Sequence, residues 1–208
     1  MNFKTKIGYY ISTTDGYTDA EAKQYIVDGC YDVYRKFKSL EGSDIAQKFA
    51  SFSSADTSGN ALDIDEVHEI LYVQRNGIPA IQVTPNQAHK YTNVNSMHYA
   101  SVNDPIFYIQ EKYLYIKPAT SDSNGTGYYM YLPVWSVTNY DSSSSIDRFP
   151  AEYYDHVLKY AAFKIAEALA HSYLENDEDA ELTQLMTARA QNLKNEYNEM
   201  FATWGMEK

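Results

Sequence analysis

The period of the hydrophobic residues changes twice along this 208-residue chain, and that double change restricts the fold more than any motif in it. Ala22, Tyr25, Ile26, Gly29, Cys30, Val33 and Phe37 recur at helical spacing behind Thr18 and Glu21, a pair spaced as a capping box. Between Val67 and Trp135 the period falls to two. From Pro150 it is helical again, first through Tyr154, Val157, Leu158, Ala161, Ile165, Ala168, Leu169 and Tyr173. Leu182, Leu185, Met186, Arg189, Leu193, Tyr197, Met200 and Phe201 then continue it. This order predicts an α+β chain. An N-terminal helix or hairpin (1–60) and two long C-terminal helices (149–208) form one helical bundle domain, into which a small antiparallel β-barrel or sandwich (61–148) is inserted.

Local signals place the elements. Glu41-Gly42-Ser43-Asp44 stops and restarts the first helix, after which Ile45, Phe49 and Phe52 are expected on one side and Ser53 to Asn60 as a polar loop. Asn76-Gly77 joins Val67–Arg75 to Ile78–Val83, because this dipeptide suits the positive φ angles of a two-residue hairpin turn. Thr84 to Val102 is polar, with one helical turn expected after Pro85. A second hairpin runs from Ile106–Gln110 through Glu111-Lys112 to Tyr113–Lys117, and a fifth strand covers Tyr128 to Trp135. Pro150 suits the first position of a helix, with Phe149 before it as a staple.

Composition matters mainly for what it excludes. The 17 Lys and Arg against 28 Asp and Glu give a net charge of −11, most concentrated after Pro150. A chain so short of phosphate-neutralising groups is not expected to hold DNA or RNA. The single Cys30 reads as a buried apolar residue and not as half of a disulfide. With no signal-like start and no run of about 20 apolar residues, cytosolic assembly without a membrane is expected. Catalytic chemistry also goes unannounced: there is no phosphate-cradling glycine loop and no nucleophile elbow. His89 and His98 flank one loop, His156 and His171 stand about four helical turns apart, and Glu175 to Glu181 lacks the ligand spacing of a calcium loop. No enzyme activity, metal or cofactor is expected.

What remains is aromatic surface. Tyr occurs 21 times, and its ring buries area while its hydroxyl stays wet, which suits protein interfaces. Tyr108, Tyr113, Tyr115, Tyr129 and Tyr131 are the candidate contact residues of the β module, and Phe201 and Trp204 those of the last helix. A rim of the β core is the plainer reading of the same tyrosines, and core packing that of Phe201 and Trp204. A Tyr-platform carbohydrate-binding module is an alternative of another class.

Three segments resemble the head-to-tail adaptor proteins of tailed bacteriophages, the connector ring or tail tubular protein A-like group: Tyr113-Leu114-Tyr115-Ile116-Lys117-Pro118, Tyr129-Met130-Tyr131-Leu132-Pro133, and Ile146 to Tyr154 leading to Tyr160-Ala161-Ala162. The resemblance implies a structural virion protein, assembled in the host cytoplasm. It would form a homo-oligomeric ring, commonly dodecameric, below the portal protein. That ring would continue the DNA channel and give tail or neck components a docking platform, with acidic side chains keeping the genome from adhering as it passes. Another neck or tail ring, or a fibre-docking protein, is the alternative within the same class.

Overall fold

The structure, a computed structural model, describes residues 1–13, 15–55, 62–119, 121, 123–142, 144–175 and 180–204. The chain is α+β and folds into two compact units, Met1–Phe49 with Trp135–Lys208, and Ala50–Val134. Compared with the boundaries expected at 60/61 and 148/149, the β unit begins earlier, at Ala50, and ends earlier, at Val134. Trp135, Val137, Tyr140 and Ile146 are buried, and Trp135 packs against Tyr31, Tyr34, Phe49 and Phe149 of the helical unit.

The helical unit begins with α1 (Phe3–Ile11), where only a lead was expected. Phe3, Ile7 and Ile11 are buried at every fourth position, and the Asn2 side chain caps the helix by accepting from Thr5 N–H. Helix α2 (Asp19–Glu41) starts with the anticipated capping box: Glu21 N–H donates to Thr18 Oγ1, and Thr18 N–H donates to the Glu21 carboxylate. Gly29 lets α2 approach the later helix α5 (Tyr154–Glu175); a Cβ there would stand 3.2 Å from the Val157 carbonyl oxygen. A 3-10 turn (Gly42–Ile45) and the short α3 (Ala46–Phe49) bury Ile45 and Phe49. Phe52 does not join them. The chain is already extended in β1 (Ser51–Ala55), and Phe52 is 70% exposed. The rest of the expected polar loop, 56–60, lies outside the described residues.

Before α5 comes a 3-10 turn (Ala151–Tyr153), for which Pro150 is the N-cap residue and not the first helical position. Phe149, the residue before that cap, stacks on Tyr154, four positions beyond it, as a hydrophobic staple. The Tyr154 hydroxyl also accepts from Ile146 N–H at 2.9 Å and so fixes the incoming loop. Helix α5 is buried on most of its circumference, His156, Phe163 and Ala166 included, although Ala168 faces solvent. Helix α6 (Ala180–Trp204) packs along it through Met186, Ala190, Leu193, Tyr197 and Phe201. Leu182 and Leu185 fall off that stripe and are exposed. Among the described residues no helix is long and apolar enough to cross a membrane.

Among the described residues the β unit holds two four-stranded sheets and no closed barrel. One has the order β1-β8-β3-β4, with β3 (Val67–Arg75), β4 (Ile78–Pro79) and β8 (Gly127–Pro133); the other, β2-β7-β6-β5, contains β2 (Leu62–Asp63), β5 (Ile81–Gln82), β6 (Ile106–Gln110) and β7 (Tyr113–Lys117). The turn at Asn76 and Gly77 has φ angles of 50° and 80° and pairs Arg75 with Ile78 as expected. The following strand divides at Ala80: β4 stays on β3 while β5 crosses to the other sheet and pairs in parallel with β6. Pro79 thus occupies an edge, where a missing N–H is tolerated. Val73, Phe107, Leu114, Ile116, Tyr129 and Tyr131 form a core shared by the two sheets. Arg75 is buried with them, and its guanidinium donates to the carbonyls of Gly125 and Ile116. The polar stretch supplies two turns of helix instead of one, α4 (Pro85–Thr92), covering the outer side of β6 through a second cluster of Val83, Ala100 and Ile106.

Candidate assembly surface

Strands β6 and β7 sort their side chains by alternation. Leu114 and Ile116 point into the core, leaving Tyr113, Tyr115 and Lys117 half-buried on the other face. Tyr108 and Tyr115 are direct cross-strand partners, with ring centroids 4.8 Å apart and planes within 5°. Such a pair stiffens the hairpin, and burial raises the pKa of the Tyr108 hydroxyl. Tyr113 sits near Lys112, which Asp63 and Asp65 hold at 3.2 and 2.9 Å; those carboxylates push the Lys112 pKa up.

The other candidates are distributed differently. Tyr129 and Tyr131 are core residues here and not surface ones, because β8 lies between β1 and β3 and turns both rings inward. Tyr128 faces outward from the same strand instead. Phe201 is also core, with its ring against Phe37, His156 and Tyr197. Trp204 ends α6, and its side chain lies outside the described residues. Phe149 is buried at the loop preceding α5, beside the half-buried Pro150.

The most exposed apolar group in the β unit was hidden in the stretch read as polar. Met97 is fully exposed and Val94 71% exposed; Tyr99 and, from β5, Ile81 also face solvent. The backbone builds this feature with local bonds after α4. Asn95 N–H donates to the Asn93 side chain, Tyr99 N–H to the Ser96 carbonyl, and Ala100 N–H back to the Tyr91 carbonyl. Two clefts result. One of about 260 Å³ lies among Ile81, Met97, His98, Tyr99 and Asp104; the other, about 360 Å³, lies among Thr92, Tyr108, Lys117 and Ala119. Tyr91 and Tyr99 line both. The only sequence signal for this patch is two isolated apolar residues, Val94 and Met97, in a polar setting, which periodicity cannot register.

Charge at the two clefts is mixed: Asp104 lines the one beside Met97, and Lys117 lines the other. His89 Nδ1 lies 2.8 Å from the Asn86 carbonyl oxygen, and His98 rests near the Tyr91 ring. Among the described residues no three His, Cys, Asp or Glu side chains gather as a metal site needs. Cys30 is buried, which pushes its thiol pKa well up. His156 is buried among Phe37, Tyr153 and Phe201, and its pKa is lowered by that burial. At the acidic break Glu175 lies 3.3 Å from His171; residues 176–179 are outside the described residues. An exposed apolar patch with aromatic clefts is suited to burying a partner's side chains.

No curated protein matches the chain. A family match runs over nearly the whole length: with residues 2–204 matched by the family model, the chain belongs to the SU10 adaptor proteins, a phage head-tail adaptor family.

Proposed function

We propose that the protein is a structural component of the neck of a tailed phage, acting by assembly and without catalysis or cofactor. Copies form a ring below the portal, extend the DNA channel and present a platform on which tail or neck components dock. The family match over residues 2–204 carries this reading. The net charge of −11 supports it, since an acidic channel repels packaged DNA and leaves it free to move. Electron microscopy of virions tests it directly: ring density coaxial with the portal, labelled by a tag on this chain, is the expected result. Particles that contain the protein elsewhere, or lack it, would overturn the reading.

A further inference from the structure

The dipeptide Asn-Gly occurs twice in the chain, at 76–77 and at 124–125. It exposes an asparagine to attack from its own backbone, because glycine leaves the following nitrogen unshielded. The fold brings the two copies together: a Cβ on Gly125 would stand 2.9 Å from Asn76 Oδ1, and Asn76 N–H donates to the Thr126 carbonyl at 3.2 Å. They differ in what holds the reacting atoms.

At the second copy both reacting groups are engaged. Gly125 N–H donates to the Ser121 carbonyl at 3.0 Å, and the Asn124 side chain donates through Nδ2 to the Ala119 carbonyl at 2.8 Å. Asn124 N–H donates to Ser121 Oγ at 3.1 Å as well, and both residues are half-buried. At the first copy Asn76 and Gly77 are exposed, and no atom lies within 4 Å of the position a Gly77 Cβ would take. Among the described residues neither the Asn76 side-chain amide nor Gly77 N–H makes a hydrogen bond. The turn must open before that amide can swing over Gly77 N. It leads into β4, a two-residue strand at the sheet edge, so few bonds resist the opening.

We infer that Asn76 is a site of spontaneous deamidation and that Asn124, in the same dipeptide, is protected by the fold. Gly77 N gives its proton to a solvent base and attacks Asn76 Cγ. The Cγ–Nδ2 bond breaks, Nδ2 takes up a proton and leaves as ammonia, and a five-membered succinimide remains. Water then opens either imide C–N bond, giving aspartate or isoaspartate with no change of oxidation state. Both products alter the hairpin. Aspartate places a negative charge beside Gly125, whose carbonyl accepts from the Arg75 guanidinium. Isoaspartate carries the backbone through one extra carbon, which a two-residue turn pairing Arg75 with Ile78 does not accommodate. The β3–β4 end of the sheet therefore loosens as the protein ages, whatever the protein assembles with.

The test holds the purified full chain in mildly alkaline water enriched in the heavy oxygen isotope, then digests it in ordinary water for peptide mass spectrometry. Heavy oxygen marks conversion that preceded digestion. The Asn76 peptide should convert, mainly to isoaspartate, at least about tenfold faster than the Asn124 peptide, since two hydrogen bonds must break before Asn124 can react. In guanidinium-unfolded protein the two rates should agree within about threefold, because the fold no longer separates the sites. A smaller ratio in the folded protein, or no conversion at Asn76, would overturn the inference. A tenfold ratio that survives unfolding would overturn it too, since the neighbouring sequence and not the fold would then set the rates.

Discussion

Removing a single oxygen from Tyr197 tests how α6 is held to α2. The ring of Tyr197 is 2% exposed and touches Tyr160, Phe163 and Phe201, while its hydroxyl donates to Asp32 Oδ2 at 2.5 Å. Tyr197→Phe keeps every ring contact and deletes that bond alone. A hydrogen bond to a charged group contributes about 1.5–3 kcal/mol. The Asp32 side chain is 33% exposed and keeps Lys36 at 3.6 Å, so water and the ammonium compensate part of the loss and the lower end, about 1.5 kcal/mol, applies. Urea unfolding followed by the far-UV helix signal reports mainly on the helical unit, which holds every helix except α4. With a slope of about 2 kcal/mol/M, the midpoint should fall by roughly 0.7 M. Asp32→Asn made in both backgrounds should reveal a coupling of about 1 kcal/mol. A midpoint within about 0.2 M of wild type, together with zero coupling, would refute the assignment of this bond as a link between the helices.

The same hydroxyl predicts an alkaline effect. Burial first, then Asp32, hold its pKa above the ordinary value of 10.0, so its share of stability is complete below that pH and lost as the pH rises past it; wild type should lose more stability than Tyr197→Phe between about pH 10 and 11.5 in urea titrations. His156 acts at the other end of the scale. Its pKa is depressed below 6.5 by burial, so the stability it contributes is present above pH 6.5 and lost as pH falls through the lower folded value, and His156→Phe should flatten the decline in thermal midpoint below that pH. In the β unit, Arg75→Met leaves the Gly125 and Ile116 carbonyls without their guanidinium donor and should lower stability by about 2–4 kcal/mol, read from tyrosine fluorescence during unfolding. Gly77→Ala meets no atom within 4 Å yet must hold a φ of +80°, so its cost should be purely conformational, about 1 kcal/mol in the same assay.

Sequence reading succeeded where one short segment carries its own physical cause. Thr18 with Glu21 and Asn76 with Gly77 each form a bond or turn within a few residues and stand as expected, and Phe149 acts as the expected staple, its partner proving to be Tyr154. It failed where long-range packing decides. Trp135 looked like the end of a strand until Tyr31, Tyr34, Phe49 and Phe149 gathered around it. Tyr129 and Tyr131 looked like surface because alternation gives two faces without saying which one a second sheet covers. The division of Ile78–Val83 between sheets was equally illegible, since the parallel partner of Ile81 is Ile106, far along the chain. Val94 and Met97 escaped notice because exposure of isolated apolar residues leaves no periodic trace.

Phe49 and Trp135 are the last residue before the β unit and the first after it, and their rings stand 6.2 Å apart inside the helical core. Two residues into the β unit, Ser51 already pairs with Tyr131. The chain therefore departs and comes back through almost the same spot, as an inserted cassette does. Exchange of the eighty-five residues between Phe49 and Trp135 is then a modular event in folding terms, because the aromatic contacts of those two with Tyr31, Tyr34, Phe149 and Tyr153 all lie outside the exchanged segment.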